Sequence, residues 1–293
     1  MNFCAGSGRW ALTVIKATDL TYTYPGREKP ALTKLSLTIK KGEFIILTGP
    51  SGCGKTTLCR CFNGLIPHFY SGKLEGDLAV AGLNVIEHSI CDLAQHVGFV
   101  FQNPENQLFA LSVEKDVAFG LENLGKSRKE IIERVEWALQ ITGVKNLRER
   151  APYELSGGQQ QRVAIASVLA MQPDVMVLDE PTSFLDPLGA EKIFEVIHEL
   201  NEKLGITIIL VEHRLDLATK YANRVIIMND GQIMLDGEPR EIFESEETYL
   251  IGVGVPKATR LYQTLKKEGR HLRTVPITSE EASHLLREVL TCD

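Results

Sequence analysis

Two short stretches of this 293-residue chain combine residue types that handle phosphate. Gly49-Pro50-Ser51-Gly52-Cys53-Gly54-Lys55-Thr56-Thr57 keeps the spacing G-x-x-x-x-G-K-[ST] between an apolar run and a helical stretch, the context that gives the spacing meaning. Its glycines let the backbone curl so that successive N–H groups face one concavity and hold phosphate oxygens. The positive end of the following helix adds to that field. Lys55 can then reach the β- and γ-phosphates of a nucleoside triphosphate, and the Thr56 hydroxyl can ligate Mg²⁺. Alone, the loop announces an NTP and nothing finer. In the second stretch, Val175-Met176-Val177-Leu178 runs into Asp179 and Glu180. An Asp at the carboxyl end of a buried strand sits beside such a loop, where it holds Mg²⁺ through water. The next residue, Glu180, is placed to polarise an attacking water as general base. Without a phosphate loop on the same chain, the two acids would read only as a strand end turning at Pro181.

A third stretch, Leu155-Ser156-Gly157-Gly158-Gln159-Gln160-Gln161-Arg162, opens a helix. Ser156 and Gln159 have capping-box spacing. The two glycines expose backbone N–H groups at the helix's positive end, a surface suited to an anion. A plain cap has no need of them, since each costs roughly 1 kcal/mol of backbone entropy. Which anion is meant stays open at this level.

These stretches need a scaffold. Ile15–Tyr24 and Ala31–Ile39 alternate apolar and polar residues, as in a sheet with one wet face. Glu43–Thr48, Val175–Leu178, Thr207–Val211 and Arg224–Met228 are continuously apolar, as in strands buried on both faces. Helical stretches lie at Thr56–Leu65, Lys129–Thr142, Gly158–Met171, Gly189–Leu204 and Leu215–Tyr221. Buried strands alternating with helices predict an α/β fold with a parallel sheet. A mostly helical insertion over about 92–171 interrupts the alternation, and a small helical piece follows from about residue 248.

The composition, 44% hydrophobic and 24% charged, is that of a globular protein. Its longest apolar runs are four to six residues, against the roughly 20 a membrane span requires. A net charge of −6 gives no hint of nucleic-acid binding. Cys4, Cys53, Cys59, Cys61, Cys91 and Cys292 form no CxxC pair and no metal-ligand spacing, which predicts reduced thiols. The N-terminus, MNFCAGSGRW, lacks signal-peptide character and predicts a short disordered lead-in.

LSGGQQQR resembles the signature of ABC-type ATPases and lies 23 residues before Asp179, as in that family. Other landmarks match in order. Tyr24, 25 residues before Gly49, resembles the aromatic that stacks on adenine. Gln102 resembles the glutamine that contacts metal and attacking water, Ser183-Phe184-Leu185-Asp186 the D-loop, and His213 the switch histidine. Phe184 departs from the small residue more common there. Singly, Tyr24 reads as an ordinary strand aromatic, and Gln102 and His213 as surface residues; joint order and spacing give them weight. The resemblance covers about residues 14–240. It implies a RecA-like P-loop NTPase core with an N-terminal antiparallel β subdomain, a helical subdomain carrying the signature, and a C-terminal helical extension over 245–293.

It further implies an ATPase using ATP and Mg²⁺ that works as a head-to-tail dimer with a second ATPase subunit, identical or paralogous. ATP then lies between the phosphate loop of one subunit and Ser156, Gly157 and Gly158 of the other. Gln102-Asn-Pro-Glu-Asn-Gln107-Leu-Phe-Ala-Leu-Ser-Val113 and Val211-Glu212-His213-Arg214-Leu215-Asp216 most resemble energy-coupling factor (ECF) transporter ATPases. Those serve vitamin and cobalt or nickel uptake, with a transmembrane coupling protein and a substrate-binding membrane protein as partners, at the cytoplasmic face of the membrane. The tail resembles an extension that can mediate dimer contacts; a solubilising cap helix is the plainer alternative. Two other classes stay in view, a non-transport ABC ATPase and a nucleotide-gated regulatory subunit. Only 101 residues separate Lys55 from Ser156, too few for the long coiled coil of repair types.

Overall fold

Continuous apolar strands must be covered on both faces, and the computed structural model, which describes residues 12–270 and 272–290, shows how. The strands are β1 (Thr13–Thr23), β2 (Leu32–Lys40), β3 (Phe44–Thr48), β4 (Lys73–Val80), β5 (Leu83–Asn84), β6 (Val97–Val100), β7 (Val175–Asp179), β8 (Thr207–Val211), β9 (Arg224–Asn229) and β10 (Gln232–Gly237). Six form one sheet in the order β10-β9-β3-β8-β7-β6, parallel except for the β9–β10 hairpin. Every residue of β3, β6, β7 and β8 is buried. Because side chains alternate along a strand, each strand feeds two cores. Phe44, Ile46, Met176, Leu178, Ile208 and Leu210 pack with the helical part of the molecule. Ile45, Leu47, Val175, Val177, Ile209 and Val211 pack on the other side.

That second core is shared with an antiparallel sheet of order β2-β1-β4-β5. The alternation in β2 is literal, with Leu35, Leu37 and Ile39 buried between exposed neighbours. The helix Lys55–Phe62 supplies Leu58, Cys59, Cys61 and Phe62 to the same core. The lead-in expected over the first ten residues, together with Cys4 and Cys292, lies outside the described residues.

Within about 92–171, β6 belongs to the large sheet, and three helices follow: Val113–Asn123, Arg128–Ile141 and Gly157–Leu169. The second opens on a reciprocal cap. The Glu130 N–H donates to Ser127 Oγ (3.3 Å) and the Ser127 N–H to Glu130 Oε2 (3.1 Å). Beyond β10, helices Lys257–Lys267 and Ser279–Leu290 gather around Tyr262, Leu272, Val275 and Leu285, and the short helix Glu246–Leu250 lies against Pro239–Glu244. This extension is tied back to the core. Arg240 pairs with Glu281 (2.6 Å), the Thr219 hydroxyl donates to Ile277 O (3.2 Å), and the Lys257 N–H donates to Asp216 Oδ1 (2.6 Å). Among the described residues no helix is long and apolar enough to cross a membrane.

The helix Gly157–Leu169 lies so close to β6 that a Cβ on Gly98 would stand 2.1 Å from Val168 Cγ1 and 3.2 Å from Pro173 Cγ. Overpacking of this kind costs about 1–3 kcal/mol. Gly98→Ala should lose about that much stability in urea unfolding, and adding Val168→Ala should return part of it. A Gly98→Ala chain as stable as its parent would remove this account of the contact.

Candidate nucleotide site

Parallel pairing brings three strand ends to one edge. Val211 of β8 is the register partner of Leu47 in β3 and of Asp179 in β7. The phosphate loop leaves β3 there, with Gly49 at φ 149°, and a Cβ on Gly49 would fall 2.1 Å from Met228 O. No other residue type fits that step. Lys55 opens the next helix and curls back over the loop, its Nζ donating to Gly49 O (2.8 Å) and Pro50 O (3.0 Å). The Thr56 hydroxyl donates to Asp179 Oδ2 at 2.9 Å. Burial, reinforced by the charge of Glu180, raises the Asp179 carboxyl above its ordinary pKa; the Thr56 hydrogen bond works against them. Tyr24 reaches the helix as well, its hydroxyl 3.1 Å from Thr57 Oγ1 and its ring edge-on to Tyr22.

Glu180 is the hub of the edge. Its φ of 50° is unusual for a residue with a side chain. It is held there by the hydrogen bond from its N–H to Val211 O (2.9 Å). Gln102 Nε2 and Ser183 Oγ each donate to Glu180 Oε2 at 2.9 Å, and His213 Nε2 lies 3.3 Å from Oε1. Three segments, those following β6, β7 and β8, thus meet on one carboxylate. In the sequence Ser183 stands only within the stretch resembling the D-loop and Glu212 only within the one resembling an ECF-type switch, while Thr182, which joins Glu212 behind it, carries no role. Their one sequence signal is an acid, Glu212, directly after an apolar strand and 2% exposed in the fold.

Ser156, Gly157 and Gly158 are not part of this cluster. The cavity over the phosphate loop is lined by Ser51, Gly52, Gly54, Lys55, Thr56, Thr57, Glu180 and His213. Gly157 instead borders a cleft with Gln102, Phe184 and Leu185. The Ser156 N–H is satisfied by Gln159 Oε1 (3.0 Å), one leg of the expected cap. A Cβ on Gly157 or Gly158 would meet nothing nearer than Leu185 Cδ2, at 3.8 and 3.7 Å. Crowding inside the chain therefore does not account for the glycines.

The cradle suits a triphosphate: glycine backbone N–H groups, a lysine and a helix N-terminus converge on it. Thr56 and Asp179 put two hard oxygen donors side by side next to it, a set that fits Mg²⁺ shared with phosphate oxygens.

Comparison with known proteins agrees. The sequence model of the family described as ABC transporter matches residues 32–183. The energy-coupling factor transporter ATP-binding protein EcfA1 of Clostridium perfringens (strain ATCC 13124) is 43% identical over 279 residues, 93% of this chain and 97% of that one. The structure of cbiO1 from the same species, described as part of the ABC transporter complex cbiONQ, matches with TM-score 0.72 at 36% identity, covering 88% of this chain and 97% of that one. A dimeric ATP-binding cassette in a post-hydrolysis state, bound to ADP and Pi, matches with TM-score 0.66 at 31% identity, covering 76% of this chain and 98% of that one. A phosphate cradle, an acid hub and a signature-bearing helix on this fold make the chain an ATP-hydrolysing member of the ABC transporter ATPase family.

Proposed function

We propose that the chain powers a membrane importer of the energy-coupling factor type for a vitamin or a transition-metal ion, as one half of a head-to-tail ATPase dimer. The observation that carries the dimer is the separation just described. Ser156, Gly157 and Gly158 present donors and open space away from the chain's own phosphate loop. They complete the site of a second subunit, identical or paralogous. The importer type rests on likeness to EcfA1 and to cbiO1, which belongs to a membrane complex. The partners are then a transmembrane coupling protein and a substrate-binding membrane protein, with this chain peripheral at the cytoplasmic face.

In each composite site, Tyr24 stacks on adenine and the loop Gly49–Thr57 wraps the phosphates. Lys55 exchanges its bonds to Gly49 and Pro50 carbonyls for phosphate oxygens. Thr56 and Asp179, with Gln102 nearby, would hold Mg²⁺, which neutralises phosphate charge when bound. Glu180 takes the proton of the attacking water, while Lys55 and His213 stabilise the charge that develops on the transferred phosphoryl group. Before that, Gln102 and Ser183 must release the Glu180 carboxylate they hold. ATP closes the dimer because only the closed form makes the cross-subunit γ-phosphate contacts, and a ligand shifts an equilibrium by no more than it distinguishes. Phe109 and Leu111, 66% and 78% exposed, and Phe119, edge-on to Phe109, form the surface for the coupling protein.

Glu180→Gln should bind ATP, stall as a closed dimer in size-exclusion chromatography, and lose about 10²–10⁴ in turnover. Near-parental steady turnover would sink the general-base role. Gly158→Glu should keep its melting temperature and its binding of a fluorescent ATP analogue by the isolated chain, yet lose hydrolysis. Binding lost in step with hydrolysis would place the signature in the chain's own site and refute the composite arrangement.

A further inference from the structure

Glu212 is an acid buried to 2% exposure at the exit of β8, one residue before His213. Its Oε1 accepts the Thr182 hydroxyl, itself fully buried. Its Oε2 accepts the His213 N–H at 2.8 Å and, more weakly, the Arg214 N–H at 3.4 Å. The next side chain adds a second stitch, Arg214 Nη1 donating to Leu185 O at 3.0 Å. A buried carboxylate is tolerated only when donors surround it, and here they come from two segments. One is the turn Pro181–Asp186 after β7, which also supplies Ser183 to Glu180. The other is the loop that carries His213.

The His213 side chain is exposed, and its contact with Glu180 is 3.3 Å. Where the imidazole stands is therefore set by the backbone beneath it, and Glu212 holds that backbone. A single hydroxyl at this position offers one oxygen; a carboxylate offers two, spaced to serve Thr182 and the His213 N–H together. We propose that Glu212 is a positioning residue for hydrolysis. It fixes the His213 backbone against Glu180 and makes the His213 loop and the Pro181–Asp186 turn move as one body. The proposal rests on the roles given above to His213 and Glu180.

Steady-state ATPase assays of the full chain test it. Glu212→Ala should lower kcat about tenfold or more, as misplacement by a fraction of an ångström does, with KM for ATP little changed. Glu212→Gln should stay close to the parent, since its oxygen accepts from His213 and its amide donates to Thr182. Glu212→Asp keeps the charge but is one methylene short of spanning both partners, and should fall as Ala does. Glu212→Ala added to His213→Ala should cost nothing further, because the two act through one group. Should Glu212→Ala fail to fold, the Gln and Asp variants still decide. A healthy Asp variant beside a crippled Gln variant would make charge the requirement and overturn the proposal. So would a double variant whose losses multiply. Parental turnover in His213→Ala would overturn the role of His213 itself, whereas an impaired His213→Ala beside parental Glu212→Ala and Glu212→Asp would overturn only the positioning role.

Discussion

Val211 sits between Leu47 and Asp179 in register, and its carbonyl also receives the Glu180 N–H at 2.9 Å. This pairing of three parallel strands decides where every polar group at the site lies. Side chains alternate along a strand, so a slip of one residue would swap its faces. In β7 such a slip would send Met176 and Leu178 toward the wrong core. Both cores are closely packed, so the misfit of several large side chains, about 1–3 kcal/mol each, keeps the register fixed. Asp179 beside Thr56 and Glu180 beside His213 are consequences of that packing rather than of any attraction among themselves.

With the strands fixed, the polar groups satisfy one another. Lys55 rests on Gly49 and Pro50 carbonyls, Thr56 on Asp179, Tyr24 on Thr57, and Glu180 on Gln102, Ser183 and His213. A buried ammonium or carboxylate left without a partner costs far more than one hydrogen bond returns. The chain thus avoids that cost with protein partners, each of which a phosphate or water can replace.

The sheet strands were legible because continuous burial leaves an unambiguous apolar run: β8 lies at Thr207–Val211 as the pattern predicts, and β3 and β7 differ by one residue. The helix expected over Lys129–Thr142 lies at Arg128–Ile141, one residue off at each end, because the Ser127 cap fixes its start. β4 was not, because most of Lys73–Val80 is open to solvent and Gly76 breaks its alternation. β6 was lost inside a helical stretch; four residues, one of them glycine, are too short for a period. At the site, the motif residues of the phosphate loop and the strand-end acids could be named from spacing because their geometry is local. The Glu212–Thr182 contact joins residues 30 apart that no motif links, and only the β7–β8 pairing brings them together.

The same geometry bears on how a distant push reaches the acid hub. Gln102 follows β6, and the segment after it is braced at both ends. The Phe101 N–H donates to Gln107 Oε1 at 3.2 Å, while the Phe109 and Ala110 N–H groups donate to Asp116 Oδ1 at 3.1 Å each. Burial raises the Asp116 carboxyl's pKa, and those two N–H bonds oppose the shift. The loop presenting Phe109 is thus fastened to the helix Val113–Asn123, whose Val117 and Leu121 share a core with the helix Gly157–Leu169. A displacement at Phe109 cannot be absorbed by slack in the loop. It must either strain the Gln102–Glu180 bond, 2.9 Å long, or carry the helical segment and its Gly157–Gly158 tip along. The first loosens the Glu180 cluster and the second moves the Gly157–Gly158 helix start, so a displacement at Phe109 reaches both.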